Sequence, residues 1–123
     1  MENSHSIVVV DDDPSMGLAM ERLLGAAGWH TVTFASAEAL LESGTAESAR
    51  GFILDIQLPG ISGFELFEKL QVAGIKVPVI FITAHDRPWV QVKAEEAGAA
   101  GYFTKPFNGR SLIEALARNC VAA

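Results

Sequence analysis

The chain has 123 residues, half of them apolar, with fifteen acids against nine bases for a formal net charge of −6. That length is one domain, large enough to bury a core without a disulfide or structural metal. The apolar runs are far shorter than the roughly twenty residues of a membrane span, and Met1–Ser6 lacks the basic cluster and apolar core of a signal peptide. The acidic balance argues against this segment holding nucleic acid or an anionic membrane by charge. The lone cysteine, Cys120, fits a reducing compartment, so a cytoplasmic location is expected.

In chain order, Ile7–Val10 is a β-branched run that reads as a strand buried on both faces. Asp13 followed by Pro14 is a helix N-cap and a favoured first helical residue. Met16, Met20, Leu23, Leu24 and Ala27 then share one helical face, and Gly28 stops the helix. Thr31–Phe34 alternates as a second strand, and Ser36 caps a short helix through Leu41. Gly51–Leu54 is a third strand, ending at Asp55. Pro59, Gly60 and Gly63 mark a loop, where Ser62 and Glu65 have capping-box spacing ahead of Leu66, Phe67 and Leu70. Val77–Thr83 reads as the fourth strand. Asp86 and Pro88 open a helix to about Ala97, with Gly98 ending it. Gly101–Phe103 is a short fifth strand, and Asn108 caps a last helix carrying Leu112, Ile113 and Leu116.

Five strand–helix units in this order imply a parallel sheet with helices on both faces. Ligands of such sheets bind beyond the carboxyl ends of the strands, where the strand order reverses. Polar residues arrive at that edge from four places: Asp11 and Asp12 after the first strand, Asp55 after the third, Thr83 after the fourth and Lys105 after the fifth. Only five aspartates occur among fifteen acids, and three of them are consecutive, Asp11 to Asp13. Grouped carboxylates repel one another and raise each other's pKa unless a cation is present. A hard divalent ion with oxygen ligands, magnesium or manganese, answers that need. A metal and an ammonium beside a free carboxylate oxygen suit phosphoryl transfer, with an acyl phosphate as the product. The Thr83 hydroxyl can hydrogen-bond a phosphoryl oxygen.

The segments Val9–Asp13, Leu54–Gly63, Phe81–Ala84 and Lys105–Phe107 closely resemble the receiver domain of two-component response regulators, and the resemblance runs from Ser6 to about Asn119. It implies a flavodoxin-like (βα)5 fold with a five-stranded parallel sheet in the order 2-1-3-4-5, so that residues 1–123 form one receiver domain with a core of about 6–119. It implies Asp55 as phosphoacceptor and Mg²⁺ held by Asp11, Asp12, Asp55 and the backbone carbonyl of Gln57, with Asp11 acting mainly through water. It also implies Lys105 as the partner of Asp55 and then of the phosphoryl group, with a cis bond to Pro106. Thr83 and Tyr102 would be the switch pair, and the small Ala84 would leave Asp55 accessible. The triple aspartate allows a site pair of Asp11/Asp12 or Asp12/Asp13; the first is favoured because Asp13 has its own use as a cap.

The expected partners are a sensor histidine kinase or a phosphotransfer protein. A phosphorylation-dependent homodimer is a further expectation, with the face of the fourth helix, fifth strand and fifth helix as the responsive surface. The motif set looks like the subgroup often joined to a helix-turn-helix output, as in the N-terminal part of a transcriptional regulator. The chain is expected to be a signalling domain that promotes its own phosphorylation and dephosphorylation, not an enzyme. Competing readings are an aspartyl-phosphate phosphatase, which usually wants a second acid where Gln57 stands, and a phosphorylation-independent dimerisation module. A flavin-binding domain of this topology is disfavoured, since Asp11–Asp13 would repel its phosphate. His85 reads as a solvent-facing residue near the pocket mouth that tunes dephosphorylation, the Gln57 side chain reads the same way, and His5 and His30 read as incidental. Trp89 is either packed on the sheet or exposed on a partner face with Arg87 and Lys93, where Trp and Arg favour binding hot spots.

Overall fold

The computed structural model describes residues 6–120, so the readings of Met1–His5 lie outside the described residues. The elements alternate without interruption: β1 (Ser6–Val10), α1 (Pro14–Ala26), β2 (His30–Phe34), α2 (Ala37–Ser43), β3 (Ala49–Asp55), α3 (Gly63–Val72), β4 (Val79–Thr83), α4 (Pro88–Glu96), β5 (Gly101–Thr104) and α5 (Gly109–Asn119). The five strands form one parallel sheet in the order β2-β1-β3-β4-β5, the flavodoxin-like arrangement expected from the sequence.

Alternation along the central strands divides the core into two layers, because successive side chains of a strand point to opposite faces. Val8, Val10, Phe52, Leu54, Val79 and Phe81 pack under α2, α3 and α4, whereas Ile7, Val9, Ile53, Ile80 and Ile82 pack under α1 and α5. Every residue of β1 and β4 is buried, as the apolar runs anticipate. In the first layer Phe81 meets Phe64 and Phe67, with ring centroids 4.8 and 5.6 Å apart. Trp29, to which sequence patterning assigned no place, is buried in the second layer.

Caps define most helix starts as expected. Asp13 accepts from the Ser15 amide, Ser36 from Ala39, Asn108 from Ser111, and Ser62 with Glu65 forms a full capping box. Three readings need correction. The fourth strand begins at Val79, not Val77; Pro78 has no amide to donate and joins only through its carbonyl, which accepts from the Phe52 amide at 3.0 Å. Asp86 does not open the fourth helix: Arg87 is its N-cap, without a side-chain bond, and Asp86 is engaged elsewhere. The second helix runs past Leu41 to Ser43, ends at Gly44 with φ +77°, and is followed by a 3₁₀ turn, Thr45–Ser48, that the sequence reading lacks.

Candidate functional site

The sheet order reverses between β1 and β3, and the polar residues delivered by those strand ends meet there. Asp11 follows β1, with its amide donating to the Phe34 carbonyl of β2 at 3.0 Å; Asp55 is the last residue of β3. Both side chains are buried, and the Lys105 ammonium lies 2.9 Å from an oxygen of each. Lys105 is itself set by β4, since its amide donates to the Thr83 carbonyl at 2.8 Å, and its bond to Pro106 is cis. The second oxygens are also used: Asp11 Oδ1 accepts from the Asp13 amide and Asp55 Oδ1 from the Gln57 amide, each at 2.9 Å.

Asp12 completes the group. One carboxylate oxygen each from Asp11, Asp12 and Asp55 lie within 4.8 Å of one another, with Asp12 facing solvent. Asp13 stands apart as the cap of α1, accepting from both the amide and hydroxyl of Ser15, bonds that hold its carboxyl below the ordinary range. Three hard oxygen donors, two of them buried and open to solvent through the third, match a small divalent cation better than any soft metal. Gly63 explains how the next helix starts so close. A Cβ there would collide with the Asp55 carbonyl oxygen, so only glycine lets α3 begin directly over the end of β3.

The electrostatics follow from burial. Desolvation pushes the Asp55 carboxyl above its ordinary value and outweighs the lowering by the Lys105 hydrogen bond; the Asp11 charge adds to the rise. Partial desolvation works against the Lys105 charge, but its bonds to Asp11 and Asp55 prevail and raise its pKa. A raised carboxyl pKa means the folded state binds a proton more tightly than the unfolded one, whose value is near 3.8. The Asp55 contribution to stability is therefore present below that value and lost as pH rises through the folded pKa. The unfolding free energy of the parent minus that of Asp55→Asn, in metal-free buffer, is expected to fall from pH 4 upward; a flat difference would contradict this assignment.

Thr83 is buried at the end of β4. Its hydroxyl donates to Gln57 Oε1 at 2.7 Å and accepts from the His85 amide at 3.0 Å. Gln57 is exposed, but its side chain is not free in solvent as the sequence suggests, because its amide oxygen is engaged by Thr83. Ala84 and His85 are exposed beside Thr83. Tyr102 lies next to Phe81 in the β4–β5 register, and its hydroxyl donates to Asp86 at 2.9 Å. Desolvation first, then this bond and the Asp86 charge, push the phenol up to about 12.

Trp89 is 62% exposed, so the indole does not pack on the sheet. Arg87 is exposed as well, and Val92, one turn on, is 50% exposed, an apolar neighbour the sequence reading did not single out. Lys93 turns toward α3, its ammonium 4.7 Å over the Phe64 ring. His30 is at the opposite end of the sheet, with Nδ1 2.7 Å from Ser6 Oγ. No helix among the described residues is long and apolar enough to cross a membrane.

Comparison with known proteins points the same way. The family model described as "Response regulator receiver domain" matches residues 7–117. The "Response regulator protein TmoT" of Ectopseudomonas mendocina is 35% identical over 94% of this chain and 53% of its own length. The "Transcriptional regulatory protein FixJ" of Azorhizobium caulinodans is 33% identical over 94% of this chain and 55% of its own. The chain thus spans about half the length of the curated relatives it matches. A response regulator receiver protein from Burkholderia phymatum superposes with a TM-score of 0.82 at 41% identity, covering 96% of both chains.

Proposed function

The chain belongs to the response regulator receiver family, and from that premise we propose that Asp55 accepts a phosphoryl group from a phosphohistidine and that the new charge switches a partner-binding face. The observation that carries this reading is one ammonium, Lys105, bonded at once to Asp11 and Asp55 beside the solvent-facing Asp12. Residues 1–123 act as one receiver unit.

Asp11, Asp12, Asp55 and the Gln57 carbonyl would hold Mg²⁺ or Mn²⁺. When bound, the ion neutralises the carboxylates and stabilises charge on the phosphoryl oxygens. An Asp55 carboxylate oxygen attacks phosphorus in line. The O–P bond forms as the P–N bond of the phosphohistidine breaks, and its electron pair returns to the imidazole nitrogen, which takes up a proton. Lys105 keeps a bond to the transferred group, and Thr83 exchanges Gln57 Oε1 for a phosphoryl oxygen. The domain works as a phosphorylated switch that promotes its own phosphorylation and dephosphorylation, not as a turnover enzyme.

The donor is a sensor histidine kinase or a phosphotransfer protein in the cytoplasm. The switch acts through Thr83 and Tyr102 on the face of α4, β5 and α5, where the exposed Trp89 and Arg87 are suited to a partner or a second copy. Lys93 borders this face while covering Phe64. The output is transcriptional regulation by a further part of the protein. The direct test is incubation with acetyl phosphate and Mg²⁺. A phosphoryl-sized mass gain, labile to hydroxylamine, is expected, and an unchanged mass would overturn the proposal.

Tyr102 is the single tyrosine of the chain, so its ionisation can be followed by absorbance alone. Asp86→Ala removes the bond and the charge that help hold the phenol at about 12. Its ionisation is expected to move to lower pH while the parent titrates late. Coincident curves for parent and variant would show that the bond does not hold the ring.

A further inference from the structure

The β3–α3 loop, residues 56–62, carries Gln57, and its two ends and its tip are tied differently. The ends close on each other through the Gly63 amide, which donates to the Ile56 carbonyl at 3.0 Å. The tip is held from another element: Glu38, near the start of α2, accepts the Ile61 amide on Oε2 at 3.1 Å. The same carboxylate lies flat against Gly60, where φ is +72° and an added Cβ would collide with Oε2. Glu38 is half-buried, and no described residue pairs it with a cation in an ion pair. Its carboxylate is therefore spent on a main-chain amide 23 residues away, in the loop that leaves Asp55.

We propose that Glu38 is a positioning residue for the metal-holding loop, pinning its tip so that the Gln57 carbonyl keeps its place at the acidic group. This rests on the reading that Asp11, Asp12, Asp55 and the Gln57 carbonyl hold Mg²⁺. The reasoning is general: partners that orient a ligand from outside matter nearly as much to affinity as the ligand, and their loss typically weakens binding by about 10- to 100-fold. A backbone carbonyl has no side chain to adjust, so only the conformation of its loop can place it.

Two substitutions separate positioning from charge. Glu38→Ala removes the acceptor and the charge, whereas Glu38→Gln removes the charge alone, because its amide oxygen can still accept from the Ile61 amide. Mg²⁺ is titrated calorimetrically into the parent, both variants and Asp12→Ala, and amide exchange of Ile61 is followed in the metal-free proteins. Glu38→Ala is expected to bind Mg²⁺ about tenfold more weakly and to exchange the Ile61 amide faster, with Glu38→Gln restoring both toward the parent. Parent-like Mg²⁺ affinity in Glu38→Ala would overturn the proposal, as would equal weakening in the two variants, which would make Glu38 a charge and nothing more. If the parent binds no Mg²⁺, or Asp12→Ala binds it like the parent, the metal reading itself fails and the role of Glu38 fails with it. If Glu38→Ala does not fold, parent-like affinity with rapid Ile61 exchange in Glu38→Gln is the overturning result.

Discussion

Asp55→Asn is expected to end phosphoryl acceptance, leaving no mass gain from acetyl phosphate and no response to beryllofluoride. The substitution is nearly isosteric, so the Gln57 amide keeps an oxygen acceptor and β3 its packing. What disappears is a carboxylate oxygen with a lone pair free to attack phosphorus, and an amide is a poor substitute. Removing a covalent nucleophile elsewhere costs on the order of 10⁶-fold, far beyond what misplacement of the other groups would cost. Asp12→Asn serves as the comparison, since it retains the acceptor and weakens the proposed metal site, whereas Asp11→Asn also removes one of the two carboxylates that hold Lys105. Mass spectrometry of the intact protein and of the peptides carrying residues 11, 12 and 55 provides the measurement. A labile phosphoryl group on Asp55→Asn, at Asp11 or Asp12, would show that the acidic group and not this residue defines the acceptor.

Much of this site was legible because the chemistry sits where periodicity breaks. Each buried run ends at a polar residue, and a parallel sheet places those ends on one edge. That logic places Asp11, Asp55, Thr83 and Lys105 on one edge, where Lys105 bonds both carboxylates and the Thr83 carbonyl. It also separated Asp13, because a Pro at the next position marks a cap. What escaped were contacts between loops, which have no period. Asp86 before Arg87-Pro88 has the pattern of a helix start, yet its carboxylate accepts from Tyr102 on β5. Glu38 looks like an ordinary acid in a first helical turn, where the dipole favours it, and nothing local reveals that it reaches Ile61. The Gln57 side chain is similar: its neighbour Thr83 is 26 residues away on another strand. The fourth strand was read too long because Val77 continues the apolar run; the missing amide of Pro78 is a hydrogen-bonding fact that apolarity does not report.

Lys105→Met tests the other half of the site and should have the largest effect on stability. The thioether chain preserves bulk and removes the cation, leaving Asp11 and Asp55 facing each other with side chains 1% and 6% exposed. Breaking a buried pair by deleting one partner costs about 3–5 kcal/mol, because the remaining charge stays desolvated. The pH dependence identifies the cause. In the parent, Asp55 is already above its ordinary value despite the Lys105 bond that lowers it. Without the ammonium it rises further, so the variant's folded state gains stability from a bound proton. That gain is present near pH 4 and is lost as pH rises through the folded pKa, so the deficit against the parent should be small in acid and full at neutrality. Mg²⁺ should then stabilise the variant more than the parent, since ligand binding to the folded state adds stability according to occupancy and no ammonium competes for the carboxylates. Phosphorylation at saturating Mg²⁺ should slow by about 10²-fold, the usual cost of one donor to the transferring group. Thermal unfolding across pH with and without Mg²⁺ decides the matter: a deficit independent of pH would mean that Lys105 contributes packing, and that the charges of Asp11 and Asp55 are balanced by something other than its ammonium.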